Sequence, residues 1–212
     1  MERSLTTEAA HATGKIDPSP ILAEEERLRA ELYGLLSRLL SSPPTRDDLK
    51  SLAALQGDAS DLGQGITALA RVAASTSAKS AEREYNALFI GLGRGELLPY
   101  GSYYLTGFLN EKPLAVLRGH MAELGIARSD DVKEPEDHIA TLCEMMAGLI
   151  RGAYGDPLNV ADQEAFFNSH IATWAEHFFT DLEAAEGSRF YAPLGKIGRA
   201  FMRIEIEAFR MD

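Results

Sequence analysis

The chain has 212 residues, 45% of them apolar and 25% charged, with a formal charge of -11 at pH 7. This is the usage of a globular protein with a substantial core, and excludes a disordered or membrane-embedded chain. The excess of acid excludes a nucleic-acid binder, because affinity for a phosphate backbone rests on Lys and Arg displacing counterions, and it favours basic partners.

Residues 1–20 contain no apolar run resembling a secretory leader and no twin-arginine pair, and no later run of 18 apolar residues could span a bilayer. The expectation is a cytoplasmic protein without stable membrane insertion, carrying a mobile tail over 1–20. Cys143 is the only cysteine, which rules out a disulfide framework and a cysteine-based zinc motif.

From Ile21 the pattern turns helical. Leu28, Leu32, Leu35, Leu36, Leu39 and Leu40 share a face until Pro43-Pro44, with Ser19-Pro20 as the expected cap. Thr45 and Asp48 predict a capping box for a second helix ending near Gly57. Leu62, Ile66, Leu69 and Val72 mark a third helix, and Ala81, Tyr85, Leu88 and Phe89 one face of a fourth. "GLGRGELLPYGSYY" reads as a loop or hinge. Its glycines lack the flanking strand and helix of a phosphate-binding fingerprint, and Leu97, Leu98, Tyr100, Tyr103 and Tyr104 dock it on the core.

Pro113 opens a fifth helix through Leu114, Leu117, Met121 and Leu124, stopped by Gly125. "KEPEDHIATLCEMM" predicts a sixth, with Pro135 at its first position and acids in its first turn. That reading explains the acids better than His138, because an imidazolium at a helix start faces the unfavourable end of the dipole. Phe167, Ile171, Trp174, Phe178 and Leu182 predict one long seventh helix begun by Asn159 or Asp162, and Leu194, Ile197, Phe201 and Ile204 the last. No stretch alternates like a strand. The fold class expected is all-α, an irregular bundle of roughly eight helices in one domain over 21–212, with a hinge near 91–134.

Asp137 and His138 also form a candidate acid/base or metal centre. No nucleophile motif accompanies them, and His11, His120, His170 and His177 make no ligand-spaced pair with His138.

An aromatic-x-x-Leu-Phe helix (Tyr85, Leu88, Phe89), a Gly/Pro segment running into Ser102-Tyr103-Tyr104, and Glu134-Pro135-x-Asp137-His138 follow one another in the chain. In that order they resemble the TorD/DmsD-type cytoplasmic chaperones of molybdenum redox enzymes, over roughly Leu28 to Phe209. The resemblance implies a TorD-like helical fold and no catalysis. It also implies binding of the twin-arginine signal peptide and apo-form of a molybdopterin oxidoreductase until its cofactor is inserted. A monomer or a domain-swapped dimer is expected, with no cofactor of its own beyond the guanine nucleotide proposed for the family.

A receptor for such a peptide needs carboxylates beside an apolar groove. Glu134, Glu136, Asp137 and Glu144 against Lys133 give a local charge of -3 next to Ile139 and Leu142. On this reading Asp137 contacts a signal arginine directly, His138 shapes or touches the groove, and Glu134 and Pro135 set the helix start. Glu136, Tyr85, Leu88, Phe89, Tyr103 and Tyr104 complete the expected site. The alternatives are a metal or acid/base enzyme on Asp137 and His138, and an acidic adaptor that binds a folded partner.

Overall fold

The computed structural model of the chain describes residues 23–91, 95–128 and 134–211. The expected tail and Ser19-Pro20 cap, Arg94 and Lys133 lie outside the described residues. Those described are all-α: ten helices and one π-helical turn. An isolated antiparallel bridge between Tyr100 and His138 is the sole β pairing among them.

α1 (Glu24–Ser41) starts after Ala23, whose backbone is extended. α2 (Arg46–Ala53) carries the expected capping box. Thr45 Oγ1 accepts the Asp48 N–H at 3.1 Å and the Asp48 carboxylate accepts the Thr45 N–H at 2.7 Å. This helix stops at Ala53, short of Gly57. α3 (Asp61–Ser75) is capped by Ser60, and α4 (Ala78–Tyr85) by Ser77 before running into the π turn Asn86–Ile90.

The bundle departs from the expected eight helices in two places. Gly101–Thr106, read as loop, forms the short α5, which leads to α6 (Lys112–Glu123). The long seventh helix is broken into α8 (Val160–His170), capped by Asn159, and α9 (Ala175–Ala184). Its apolar stripe keeps helical spacing across the break, so the pattern conceals it. Ile171 and Trp174 leave helical dihedrals, and the Trp174 indole N–H donates to the His170 carbonyl at 2.8 Å. That bond satisfies an acceptor the break would otherwise orphan.

α7 starts later than expected. It runs Ile139–Arg151 with His138 as its N-cap, and Gly152 ends it at φ +75°. Glu134 to Asp137 precede the helix because their backbone is engaged elsewhere. The Ile139 N–H donates to the Pro99 carbonyl and the Gly101 N–H to the Asp137 carbonyl, both at 2.9 Å. Pro135 therefore closes a turn, accepting the His138 N–H at 3.1 Å, and does not open the helix.

α10 (Tyr191–Ala208) packs on α9 and α3, while α1 packs on α7. The α9 contact requires glycine: a Cβ at Gly198 would stand 2.2 Å from Phe179 Cδ1. Ile204, expected in the core, is exposed, and Glu205 is buried in its place. The Arg29 guanidinium meets both Glu205 oxygens at 2.8 Å and the Tyr33 hydroxyl donates to Oε2 at 2.9 Å, pinning α1 to α10 through a satisfied buried pair.

Candidate functional site

The fold divides the acidic segment between two environments. Asp137 faces α5: its Oδ2 accepts the Ser102 N–H at 2.7 Å while its carbonyl accepts that of Gly101. Two amides at the start of α5 are thus satisfied by one residue 35 positions away. Asp137 is 3% exposed, and neither its Oδ1 nor the Ser102 hydroxyl has a hydrogen-bond partner among the described residues. Asp137 borders a gap of about 10 Å³ beside Gly101, Leu117, His170 and Trp174. In this conformation its carboxylate anchors α5.

His138 is buried and packs edge-on against Tyr100, with ring centroids 5.1 Å apart. Burial pushes its pKa down to about 4, outweighing the opposing charges of Glu134 and Asp137. The neutral ring accepts the Ala140 N–H at Nδ1, 3.1 Å away. This explains an imidazole at a helix start: a neutral acceptor caps free amides, where an imidazolium would oppose the dipole.

Glu134 and Glu136 turn the other way. Glu136 receives Arg118 at 2.8 and 3.0 Å and lies 3.7 Å from Arg128. Burial alone would raise its carboxyl, but the Arg118 hydrogen bond and the two guanidinium charges hold it below the usual carboxylate range. Glu134 is exposed and accepts the Tyr100 hydroxyl.

These two glutamates border a cavity of about 210 Å³ with Glu144, over an apolar floor that includes Met121, Ile126 and Met145. Tyr154, from the turn after α7, closes one side. A second cavity of about 420 Å³ between α1 and α7 shares Glu144 and Tyr154, so the solvent-facing strip of α7 is concave on both flanks. Glu144 makes no ion pair or hydrogen bond among the described residues.

The other expected site residues fall elsewhere. Tyr85 and Leu88 are core: the Tyr85 hydroxyl donates to the Leu40 carbonyl at 3.3 Å, and Leu88 is fully buried. Phe89 is partly buried against Tyr85 and Tyr191. Tyr104 packs on Trp174 and donates to Asp181 at 2.8 Å, with Tyr103 edge-on beside it. None of these five borders the acidic cavity.

Sequence reasoning missed Arg118, Arg128 and Tyr154, which only tertiary contact brings to the segment. Glu144 had a signal: with Thr141 it is a polar step in the otherwise apolar "IATLCEMMAGLI". Also unforeseen is the pair His120–His170, whose Nδ1 and Nε2 atoms lie 2.9 Å apart across α6 and α8. No group of three or more His, Cys, Asp or Glu suited to a metal ion occurs among the described residues.

Residues 55–180 match the family model described as nitrate reductase delta subunit. The chain is 30% identical over 201 residues to the chaperone protein TorD of Photobacterium profundum, spanning 84% of this chain and 92% of that one. It is 26% identical over 200 residues to TorD of Vibrio atlanticus, spanning 84% and 93%. A probable Tat proofreading chaperone, DmsD of Haemophilus influenzae, is 34% identical over 113 residues, 52% of this chain and 53% of its own. In fold, the chain is like a solved redox enzyme maturation protein from Archaeoglobus fulgidus, with a TM-score of 0.54 at 23% identity over 83% of this chain and 94% of that one.

Proposed function

The chain belongs to the nitrate reductase delta subunit family as a redox-enzyme maturation chaperone of the TorD/DmsD type rather than an enzyme, and from that premise we propose that it binds the twin-arginine signal peptide of an apo-molybdopterin oxidoreductase. The observation that carries this reading is the cavity in which Glu134 and Glu144 border a floor of Met121, Ile126 and Met145. Glu136 is already matched by Arg118 and Arg128, which leaves the other two carboxylates for incoming guanidinium groups.

A twin-arginine signal places cationic side chains next to a short apolar stretch. Guanidinium pairs with carboxylate bidentately, and methionine side chains repack around different apolar partners. The peptide's arginines are assigned to Glu144 and Glu134, and its apolar stretch to the methionine floor. Glu136, Asp137 and His138 hold the walls in place. Such binding would keep the precursor from export while its cofactor is inserted, and would place the encounter in the cytoplasm.

Titration of the full chain with a twin-arginine peptide and with its Lys-Lys analogue tests the proposal. Tighter binding of the arginine form, lost in Glu144→Gln, is expected. Equal affinity for both peptides would remove the bidentate argument. Undiminished binding of a partner enzyme whose signal has been deleted would favour an adaptor acting on the folded protein.

A further inference from the structure

We propose that the His120–His170 pair is an acid-sensitive latch that holds α6 against α8 and so keeps the acidic cavity in shape. The consequence for peptide binding rests on the function proposed above; the latch itself does not.

Nδ1 of His120 and Nε2 of His170 meet at 2.9 Å between two helices. At that distance one nitrogen carries a proton and the other presents a lone pair, so the contact needs at least one neutral ring. Two imidazolium rings would set two N–H groups and two positive charges face to face. His170 is buried and His120 half-buried, and both rings pack on Phe166, with centroids 4.9 and 5.4 Å from it. The gap beside His170 is lined by the uncharged Leu105 of α5, Leu117 of α6, Leu142 of α7 and Trp174, and by one charged residue, Asp137, whose Oδ2 is engaged by the Ser102 N–H. On the pair's own helices the neighbouring charges are Arg118 and Glu123 on α6 and Glu164 on α8, and Arg118 is matched by Glu136. Burial, and then the charge of His120, push the His170 pKa down to about 4.

Separating α6 from α8 exposes His170 and returns it to its ordinary value of 6.5, so protons favour the open form. The closed form is therefore at full strength above about pH 6.5 and weakens as pH falls toward 4. The position of His120 on α6 gives this opening its consequence. On one side of it in the chain is Arg118, which holds Glu136, and on the other is Met121, part of the cavity floor. When α6 leaves α8 both are displaced, and a peptide held by the cavity is released in acid.

Hydrogen exchange of the full chain at pH 7 and pH 5, corrected for the intrinsic exchange rate, tests the latch without any peptide. The opening constant of the α6 amides should rise roughly 20-fold at the lower pH, the effect of freeing one such ring, and that of α3 much less. His170→Gln keeps a hydrogen-bonding amide opposite His120 and removes the buried titration, so most of the rise should disappear. His120→Gln removes the facing charge and should show a smaller rise than the wild type. A rise as large in α3 as in α6, or one undiminished in both variants, would overturn the latch. Titration with a twin-arginine peptide at the same two pH values then tests the coupling. Affinity should fall about fivefold or more at pH 5 in the wild type and stay nearly level in His170→Gln. Opening of α6 with unchanged affinity would overturn the link to the cavity. A peptide that binds at neither pH would count against the proposed function, while the exchange result still decides the latch.

Discussion

Asp137 caps a helix that it follows by 35 residues: its Oδ2 accepts the Ser102 N–H at 2.7 Å from a position almost closed to solvent. Its most direct consequence is for stability. Asp137→Ala strands a buried amide at the start of α5 and should cost about 1–3 kcal/mol, read as a lower urea midpoint at unchanged slope. If the variant instead keeps its midpoint and loses peptide binding, Asp137 is a ligand-contact residue after all.

Glu144 presents the opposite case. It is exposed, makes no ion pair or hydrogen bond among the described residues, and borders both cavities along α7. Glu144→Gln should leave thermal stability within about 0.5 kcal/mol while weakening twin-arginine peptide binding roughly 10- to 100-fold, the loss of one charge-assisted hydrogen bond. Fluorescence anisotropy with a labelled peptide and a melting curve on the same sample separate the two effects.

His138 makes stability depend on pH. Its folded pKa of about 4 lies below the ordinary value of 6.5, so between those two values the unfolded chain binds more protons. Stability should then fall as pH drops from about 6.5 toward 4, by up to about 3 kcal/mol from this ring. Glu136, whose carboxyl is also depressed, adds its loss only below its unfolded value of 4.5. His138→Asn keeps a capping oxygen and removes this ring's titration, so the gap between denaturation midpoints at pH 7 and pH 5 should narrow in that variant, the remainder coming from His170, which burial also pushes down to about 4. A gap as wide as in the wild type would assign the acid sensitivity to other groups.

The buried pair of Arg29 and Glu205 supplies a fourth expectation. Arg29→Met leaves a carboxylate that is 1% exposed without its guanidinium and should cost about 3–5 kcal/mol. The double variant Arg29→Met, Glu205→Met should recover much of that loss. Chemical denaturation of the wild type, Arg29→Met, Glu205→Met and the double variant closes the cycle, and additive losses would show that the two side chains do not interact.

Local chemistry was legible where it acts within a few residues. The Thr45–Asp48 box, the Asn159 cap, Pro113 in its first turn and Gly125 as a stop all stand where the sequence predicts them. Each needs only neighbours three or four positions away. The α8–α9 break was invisible for the same reason. The stripe from Phe167 to Leu182 satisfies the helical period whether or not the chain bends, and what stabilises the bend is the burial of Trp174 with its indole donated backward.

The site divides along the same line. The sequence by itself determined an all-α chain and its family, because apolar period and a compact motif are one-dimensional properties. Which side each acid faces is not one-dimensional. Pro99 and Gly101 pair with the backbone of Asp137 and Ile139, and that pairing turns the Asp137 side chain under α5 while Glu134 and Glu136 open toward Glu144. Only the tertiary structure decided this, since a hydrogen bond spanning 35 residues leaves no spacing in the sequence, yet it turns Asp137 away from the cavity that Glu134 and Glu136 border.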